Sequence, residues 1–217
     1  MADVAAGTRV RKRSYLLAET PRLAKGGPLA KAPEGLAGQT GEDRTHCLVE
    51  SGPRFRERPG EKGGEHTGPN PVDRGRAGTK HHLLGDREGV PLAATISAAN
   101  IHDSKLVEQM VDSVEPIKGG RGRPRKRPEK LHADKGYDYP RCRRFLRRRG
   151  IKARIARRGI ESSEKLGRHR WVVERSFSWL YRFRRLTVRY ERRADIHQAF
   201  LDLACSLICC NYLRGGY

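Results

Sequence analysis

The feature that most constrains the fold is a regular alternation of strand-like and helix-like segments along most of the chain. Residues 81–86 and 90–100 are apolar segments separated by a tight polar turn, in which Asp86 and Gly89 suit a hairpin. Residues 102–114 then carry apolar side chains at the spacing of a helix. Strands and helices alternate after this point, and that order predicts an α/β sheet with helices packed on it.

The later elements are predicted from residue type and from the positions of glycine and proline. Residues 130–134 form a strand that ends in a polar cluster, and residues 139–150 form a helix that Gly150 closes. The remaining predicted elements are a short strand at 151–157, a long helix from about 169 that the basic run 182–193 extends, and a final helix at about 195–213.

The N-terminal part of the chain lacks this periodicity. Residues 1–45 are rich in Gly, Ala, Pro, Lys and Arg and cannot bury enough apolar surface to order themselves, which predicts a disordered leader. Residues 46–51 are a candidate for a short strand, and the Gly- and Pro-dense residues 52–80 are typical of a long loop. The predicted organisation is a leader at 1–45 and one folded domain at 46–217.

The charge of the chain favours a polyanionic partner. Lys and Arg total 46 against 25 Asp and Glu, which gives a formal net charge of +21. Nucleic acid is the first candidate partner, and an anionic membrane surface is the second. The most apolar stretch, 199–213, is interrupted by Asp202 and Asn211, so we predict a core helix there and no membrane span.

Several other site classes are not predicted. The cysteines number five, which is odd, and three of them fall in one apolar helix, so they do not form a disulfide framework. The chain has no Cys-x-x-Cys pair to begin a zinc site. The glycine-containing residues 67–80 lack the Gly-Lys-Ser/Thr of a phosphate-binding loop, so nucleotide binding is not predicted.

Three acidic residues are candidates for a metal site. Phosphodiester chemistry on nucleic acid commonly uses two Mg²⁺ ions, which need carboxylates that converge from different elements. Asp134 ends a predicted strand, Glu50 ends the first candidate strand, and Glu174 lies on the long helix that follows the last strand. Each also has an ordinary structural interpretation: Asp134 could cap a turn, and Glu174 could pair with Arg170 four residues earlier.

Three collinear segments of the sequence resemble a known family. Residues 63–104, 121–159 and 170–208 are similar to the catalytic region of bacterial DDE transposases of the insertion-sequence-five family. The resemblance implies a ribonuclease-H-like (retroviral-integrase-like) fold, a mixed sheet with flanking helices. It also implies metal-dependent cleavage and strand transfer at the ends of a mobile element, with Mg²⁺ or Mn²⁺ as cofactor.

The resemblance also assigns roles to particular residues. Asp134 in "ADKGYD" matches the second catalytic acid, Glu174 in "WVVER" matches the third, and Glu50 in "LVESG" is the best counterpart of the first. The three would hold the metal ions. DNA contacts are expected from basic residues on the long helix and in two basic segments: Arg170, Arg121, Arg123, Arg125, Lys126, Arg182, Arg184 and Arg185. The string at 100–103 matches a family motif, in which His102 and Asp103 would either support the site or cap a helix start.

The expected partners are double-stranded DNA, both transposon ends and target, and a second copy of the chain on DNA. The expected location is the bacterial cytoplasm, in association with the nucleoid. Two departures from the family pattern predict weak or absent activity. The family has Asp where this chain has Glu50, and residues 1–45 do not resemble the family's folded N-terminal region. We therefore expect a truncated or rearranged copy; a non-catalytic DNA-binding protein that keeps the fold is the alternative.

Overall fold

The computed structural model describes residues 46–56, 64–72, 74–117, 123–124, 126–157, 159 and 167–216, with backbone alone for 46–56 and 167–170. The leader predicted at 1–45 lies outside these residues. Six strands form one sheet: β1 His46–Arg56, β2 Gly68–Pro69, β3 Ala77–Gly85, β4 Pro91–Ala98, β5 Lys130–Ala133 and β6 Lys152–Ile155.

The sheet is mixed. β1, β5 and β6 are parallel neighbours, and β3 runs antiparallel on the other side of β1. β4 and the two-residue β2 pair with different stretches of β3. The order through the five longer strands is therefore β4, β3, β1, β5, β6. This is the ribonuclease-H-like α/β arrangement that the resemblance implied, and the predicted fold class is confirmed.

The first strand is longer than the sequence predicted. β1 continues to Arg56, although residues 52–80 were expected to be a loop, and β2 and the start of β3 also fall within that range. The pairing of β1 with β3 changes register between Ser51 and Arg54. Gly52 and Pro53 occupy this irregularity, where proline has no amide hydrogen to give to a ladder. The two residues interrupt the pairing without ending the strand.

The hairpin between β3 and β4 is confirmed. The Gly89 amide donates to the Asp86 carbonyl at 3.0 Å, and the Asp86 carboxylate accepts from the amides of Glu88 and Val90. Gly89 has φ +78°, a left-handed conformation that glycine adopts without strain. Asp86 and Gly89, the two residues that predicted the turn, therefore form it.

Five α-helices accompany the sheet in the described part of the chain: α1 Val107–Asp112, α2 Pro140–Arg148, α3 Gly167–Leu180, α4 Arg184–Thr187 and α5 Ala194–Leu213. The prediction that 182–193 extends the long helix is wrong. The amides of Arg182 and Phe183 bond back only three residues, which tightens and ends the last turn of α3. Beyond α4, Arg189 is buried, and no helix forms again before Ala194.

Helices cover both faces of the sheet. Leu84 of β3 packs with α1 and α2, whereas its neighbour Leu83 packs with α3 and α5. Successive strand residues point to opposite faces, so this alternation places one apolar core on each side. Helix α5 is the one described helix whose length and composition would also suit a membrane span. Its buried residues, including Leu201 and Ile208, pack in the core beside β4 and α3.

Candidate active site

The sheet brings two of the predicted acidic positions side by side. The last parallel pair between β1 and β5 is Val49 with Ala133, and the next residue on each strand is Glu50 and Asp134 respectively. Neighbouring strands lie about 4.8 Å apart. Glu50 is not at the end of β1, as the sequence suggested, but within it, just before the irregularity at Ser51. The two positions are adjacent because the strands are parallel and in register.

Asp134 has the exposure that a metal ligand needs. It follows the last residue of β5 and precedes a 3₁₀ turn at Lys135–Tyr137, which the buried ring of Tyr137 anchors. The Asp134 carbonyl accepts from the Tyr137 amide, but the carboxylate makes no capping hydrogen bond to the turn. Asp134 therefore begins the turn through its backbone alone, and its side chain is exposed.

Glu174 is exposed on α3, and the rest of that helix is firmly docked. Val173 and Phe177 pack in the same apolar cluster as Leu83, the residue that pairs with Glu50 in the sheet. The Ser176 hydroxyl, also buried, donates to the Gly89 carbonyl at 2.7 Å. Helix α3 also contacts β1. The strand that carries position 50 therefore lies between the strand of Asp134 and the helix of Glu174.

A glycine at the hairpin lets α3 approach this closely. A Cβ atom on Gly89 would lie 2.6 Å from the Ser176 hydroxyl and 3.1 Å from both the Val172 carbonyl and a Val172 methyl. The Arg175 guanidinium adds a second link, since it donates to the Glu88 carbonyl at 2.6 Å. It also lies 4.7 Å and 5.0 Å from the ring centres of Trp171 and Trp179. These contacts fix the helix turn that carries Glu174.

The motif at 100–103 serves the structure around the site. The His102 ring caps the 3₁₀ turn at Asp103–Lys105 by accepting from the Ser104 amide, which confirms the capping alternative. Its Nε2 lies 3.2 Å from the Tyr139 hydroxyl, which ties this turn to the segment after Asp134. The Asp103 carboxylate pairs at 2.5 Å with Lys80, whose ammonium group is buried. His102 therefore links the turn after β4 to the segment after β5, and Asp103 ties the same turn to β3.

The described side chains hold no ready-made group of three His, Cys, Asp or Glu residues that could bind a metal ion. The side chain at position 50 lies outside the described ones, as does that of Arg170, so the pairing of Arg170 with Glu174 stays a prediction. Asp134 and Glu174 are both exposed carboxylates. Oxygen donors of this kind fit Mg²⁺ and Mn²⁺.

A buried polar cluster was missed by the sequence analysis. Arg189 is 2% exposed and donates to the hydroxyls of Thr67 and Thr79 and to the carbonyls of Glu191 and Arg192. Beside it, Nε2 of His81 lies 2.9 Å from Nε2 of His197, whose other nitrogen contacts the Glu191 carboxylate at 3.2 Å. Two histidines within an otherwise apolar strand were the one sequence signal of this cluster.

Burial sets the protonation of the histidines in this region. Burial, and then the neighbouring His197, hold the pKa of His81 well below its usual value. Burial also lowers the pKa of His82, on the opposite face of β3, to about 4 despite the opposing effect of Asp103. Burial acts to raise the pKa of Glu191, but backbone hydrogen bonds and His197 bring it below the usual value. The fold therefore favours neutral His81 and His82, and an ionised Glu191 beside His197.

The predicted DNA-binding residues do not form one surface. Arg123 and Lys126 are exposed and line a groove of about 870 Å³ with Arg127 and Arg149, near the start of β5 and so away from Asp134. Arg182, Arg184 and Arg185 are also exposed, beyond the end of α3. Arg185 pairs with Glu191 at 2.7 Å and lies over two aromatic rings. Arg121 and Arg125 lie outside the described residues.

Cysteine chemistry plays no part in the described site. Cys142, Cys205 and Cys209 are buried and Cys210 is half-buried, and none of these four described cysteines forms a disulfide. Burial raises the pKa of both the Cys142 and the Cys205 thiols, which keeps them protonated and unreactive. The prediction of reduced thiols is confirmed for these four residues.

Comparison with known proteins identifies the family. The catalytic core domain of BIV integrase aligns with a TM-score of 0.38 and 13% identity, over 77% of this chain and 82% of that one. The family model described as "Transposase DDE domain" matches residues 45–209. A Burkholderia cepacia protein named "Putative transposase for insertion sequence element IS402" is 48% identical over 202 residues, which cover 92% of this chain and 94% of that protein. The family match and this relative show that the chain belongs to the DDE-domain transposases of insertion sequences.

Proposed function

We propose that this transposase cleaves the DNA at the ends of its insertion sequence and joins the freed 3′ ends to target DNA, in a reaction that depends on Mg²⁺ or Mn²⁺. The observation that carries the proposal is the arrangement around β1. Position 50 lies beside Asp134 in the parallel register, and the helix that carries Glu174 contacts the same strand. Three acids distant in sequence thus belong to neighbouring elements.

In this proposal Asp134 and Glu174 hold the metal ions, and Glu50 completes the set. A bound pair of such ions supplies activation of water and stabilisation of the leaving oxygen. The docked elements contribute rigidity, because the turn after Asp134 is anchored by Tyr137 and α3 by Ser176. Rigid ligand positions reduce the cost of reaching the reactive geometry.

The chemistry needs no nucleophilic side chain. Water attacks the phosphodiester bond at the element end, the bond to the leaving oxygen breaks, and a free 3′-hydroxyl results. That hydroxyl then attacks a phosphodiester bond of the target DNA and displaces the neighbouring 3′-oxygen. The number of phosphodiester bonds is conserved in the second step, so it needs no energy source.

The basic residues would provide affinity for double-stranded DNA without reading its sequence. Arg123 and Lys126 lie at one end of β5, and Arg182 and Arg184 lie beyond the end of α3. Contacts from such side chains to phosphates release counterions, so binding weakens steeply as salt rises. The spread of these residues over separate surfaces favours contact with more than one stretch of duplex.

The test is cleavage of duplexes made from the DNA that flanks this protein's own gene. We expect cleavage with Mg²⁺ or Mn²⁺ that is lost on chelation and falls on the order of 10³-fold in Asp134→Asn and in Glu174→Gln. Asp138→Asn is a matched control, because Asp138 is paired with Arg143 near the same turn. Equal activity in the wild type and both variants would refute the site.

The wild-type rate should itself be low. Glutamate at position 50 is one methylene longer than the aspartate of the family pattern, and a displacement of about an ångström can cost on the order of 10²-fold in rate. If the protein binds flanking DNA but neither the wild type nor any position-50 variant cleaves it, the chain is a DNA-binding remnant and the proposed activity is wrong.

A further inference from the structure

Trp171 is exposed one helical turn before Glu174. It is 53% exposed, and among the large apolar side chains exposed in the described part of the chain it is the one aromatic. Residues three apart on a helix lie on the same face, with Cβ atoms about 5–6 Å apart. Trp171 and Glu174 therefore share the outer face of α3, and a molecule that reaches the Glu174 carboxylate also reaches the indole ring.

A charged side chain supports the Trp171 ring from behind. The Arg175 guanidinium lies 4.7 Å from the centre of this ring and 5.0 Å from that of Trp179. The guanidinium is fixed in turn by its 2.6 Å hydrogen bond to the Glu88 carbonyl. A ring that is already held on one face loses little further freedom on binding, and its opposite face remains for a ligand.

The chemistry of this surface fits a nucleobase. A tryptophan ring can stack on any base, because every base has a π-face. The formal net charge of +21 draws polyanionic nucleic acid to the protein. An apolar protein segment or a lipid chain on the ring would have to bury the neighbouring Glu174 carboxylate, which costs free energy. A nucleic acid leaves that carboxylate hydrated or bound to a cation.

Only an unpaired or terminal base can present a face to the ring. Bases inside a duplex are stacked between their neighbours, whereas the last base pair of a cut duplex exposes one face. The proposed function creates such an end beside the metal site, because its first step leaves a free 3′-hydroxyl. The base that carries this hydroxyl then lies within reach of residues on the helix turn of Glu174.

We propose that Trp171 stacks on the terminal base of the cleaved element end, next to the 3′-hydroxyl that attacks target DNA. The stacking rests on the proposed function, since the cleavage step creates this end. It would hold the hydroxyl close to the metal site while target DNA binds. The contact is indifferent to base identity, because one aromatic face does not read the edge of a base.

Binding of precleaved element-end duplexes, with Ca²⁺ in place of Mg²⁺, tests the stacking without requiring cleavage. One duplex is complete, and the other lacks the base of the nucleotide that carries the terminal 3′-hydroxyl. The wild type should bind the complete duplex about tenfold more tightly, and Trp171→Leu should bind the two equally. Trp171→Phe keeps an aromatic face and should recover part of the difference.

Tryptophan fluorescence gives a second readout in the same titrations. The chain has two tryptophans, and Trp179 is only 6% exposed. The complete duplex should therefore quench the emission of Trp171 in the wild type, and the duplex without the terminal base should quench it less. In Trp171→Phe the emission comes from Trp179 alone and should not change when DNA binds.

Leu203→Ala is the matched control, since Leu203 is 56% exposed and lies on a different helix. It should keep the wild-type preference for the complete duplex, and circular dichroism should show the same helix content in every variant. A wild type that binds both duplexes equally overturns the proposal. A Trp171→Leu variant that binds both more weakly but keeps the preference also overturns it, because Trp171 then only supports the helix.

Failure of the proposed function would look different. If the preference depends on Trp171 but the protein cleaves no flanking DNA, the end is bound without being made, and the proposed cleavage alone is wrong. If cleavage depends on Asp134 and Glu174 while the preference for the terminal base is absent, the stacking alone is wrong.

Discussion

Two polar clusters in this molecule differ in almost every physical respect. The carboxylates of Asp134 and Glu174 are exposed at the end of a strand and on the outer side of a helix. Arg189, His81 and His197 are buried. Arg189 donates to hydroxyls and carbonyls, and the Nε2 atoms of the two histidines contact each other. The second set joins segments that are far apart in the chain, since Arg189 binds Thr67 and Thr79.

From this difference we expect Asp134 and Glu174 to serve function and the buried residues to serve stability. An exposed carboxylate is already hydrated, so its replacement changes the free energy of unfolding little. A buried guanidinium has exchanged its water shell for protein acceptors, so the fold depends on those bonds. We therefore expect changes in the first cluster to alter cleavage and changes in the second to alter the free energy of unfolding.

The largest stability effect should follow from Arg189→Met. The change removes hydrogen bonds to Thr67, Thr79, Glu191 and Arg192 and leaves buried acceptors without a donor. We expect a loss of about 4 kcal/mol in the free energy of unfolding, measured by urea denaturation. Asp134→Asn should change the same quantity by less than about 0.5 kcal/mol. Similar losses in the two variants would remove the distinction between the clusters.

Acid should weaken the fold through the buried histidines. The pKa of His82 is about 4 in the folded protein against 6.5 in the unfolded chain. Between pH 6.5 and 4, His82 is therefore protonated in the unfolded chain but neutral in the folded protein. The free energy of unfolding falls as the pH falls through this window. The loss from His82 alone is roughly 3 kcal/mol across this window.

The comparison that isolates this effect is wild type against His82→Asn. The variant should be less stable at pH 7, since it disturbs the 2.7 Å contact with the Ser97 hydroxyl, but it should lose less stability between pH 6.5 and 4. Parallel unfolding free energies for the two proteins across that window would show that His82 does not carry the acid sensitivity.

A smaller effect is expected from Ser176, which supports both the fold and the helix that carries Glu174. Ser176→Ala removes the hydrogen bond that ties α3 to the β3–β4 turn, and we expect a cost of about 1 kcal/mol in unfolding. Because Glu174 lies on the same helix, the cleavage rate should also fall, by up to about tenfold. Ser178→Ala, at an exposed position of α3, should change neither quantity. A full loss of cleavage in Ser176→Ala would mean that the serine does more than position the helix.

Local chemistry predicted much of the fold. Asp86 and Gly89 identified the hairpin because their turn depends on residues a few positions apart, and Gly150 marked the end of α2 for the same reason. Asp134 was located correctly after a strand. Gly52 and Pro53, by contrast, suggested a loop, because a strand irregularity and a loop use the same residues.

The other features could not be predicted, because they depend on contacts between residues that are far apart in the sequence. Helix α3 ends at Leu180, where the sequence suggested continuation, and Arg189 beyond it is bound to Thr79, 110 residues away in the chain. The buried polar cluster has no local pattern beyond the adjacent histidines of β3. Glu50 was proposed from its place in a candidate strand and from the family resemblance, and its position beside Asp134 depends on the register of two strands, which spacing in the sequence does not give.

The central claim is that positions 50, 134 and 174 form one metal site, and position 50 tests it most directly. The measurement is the single-turnover cleavage rate of flanking DNA with Mn²⁺ for wild type, Glu50→Asp and Glu50→Gln. We predict that Glu50→Asp raises the rate by up to about 10²-fold and that Glu50→Gln abolishes cleavage. Equal rates in wild type and Glu50→Gln would contradict the account, because a ligand cannot lose its charge without effect.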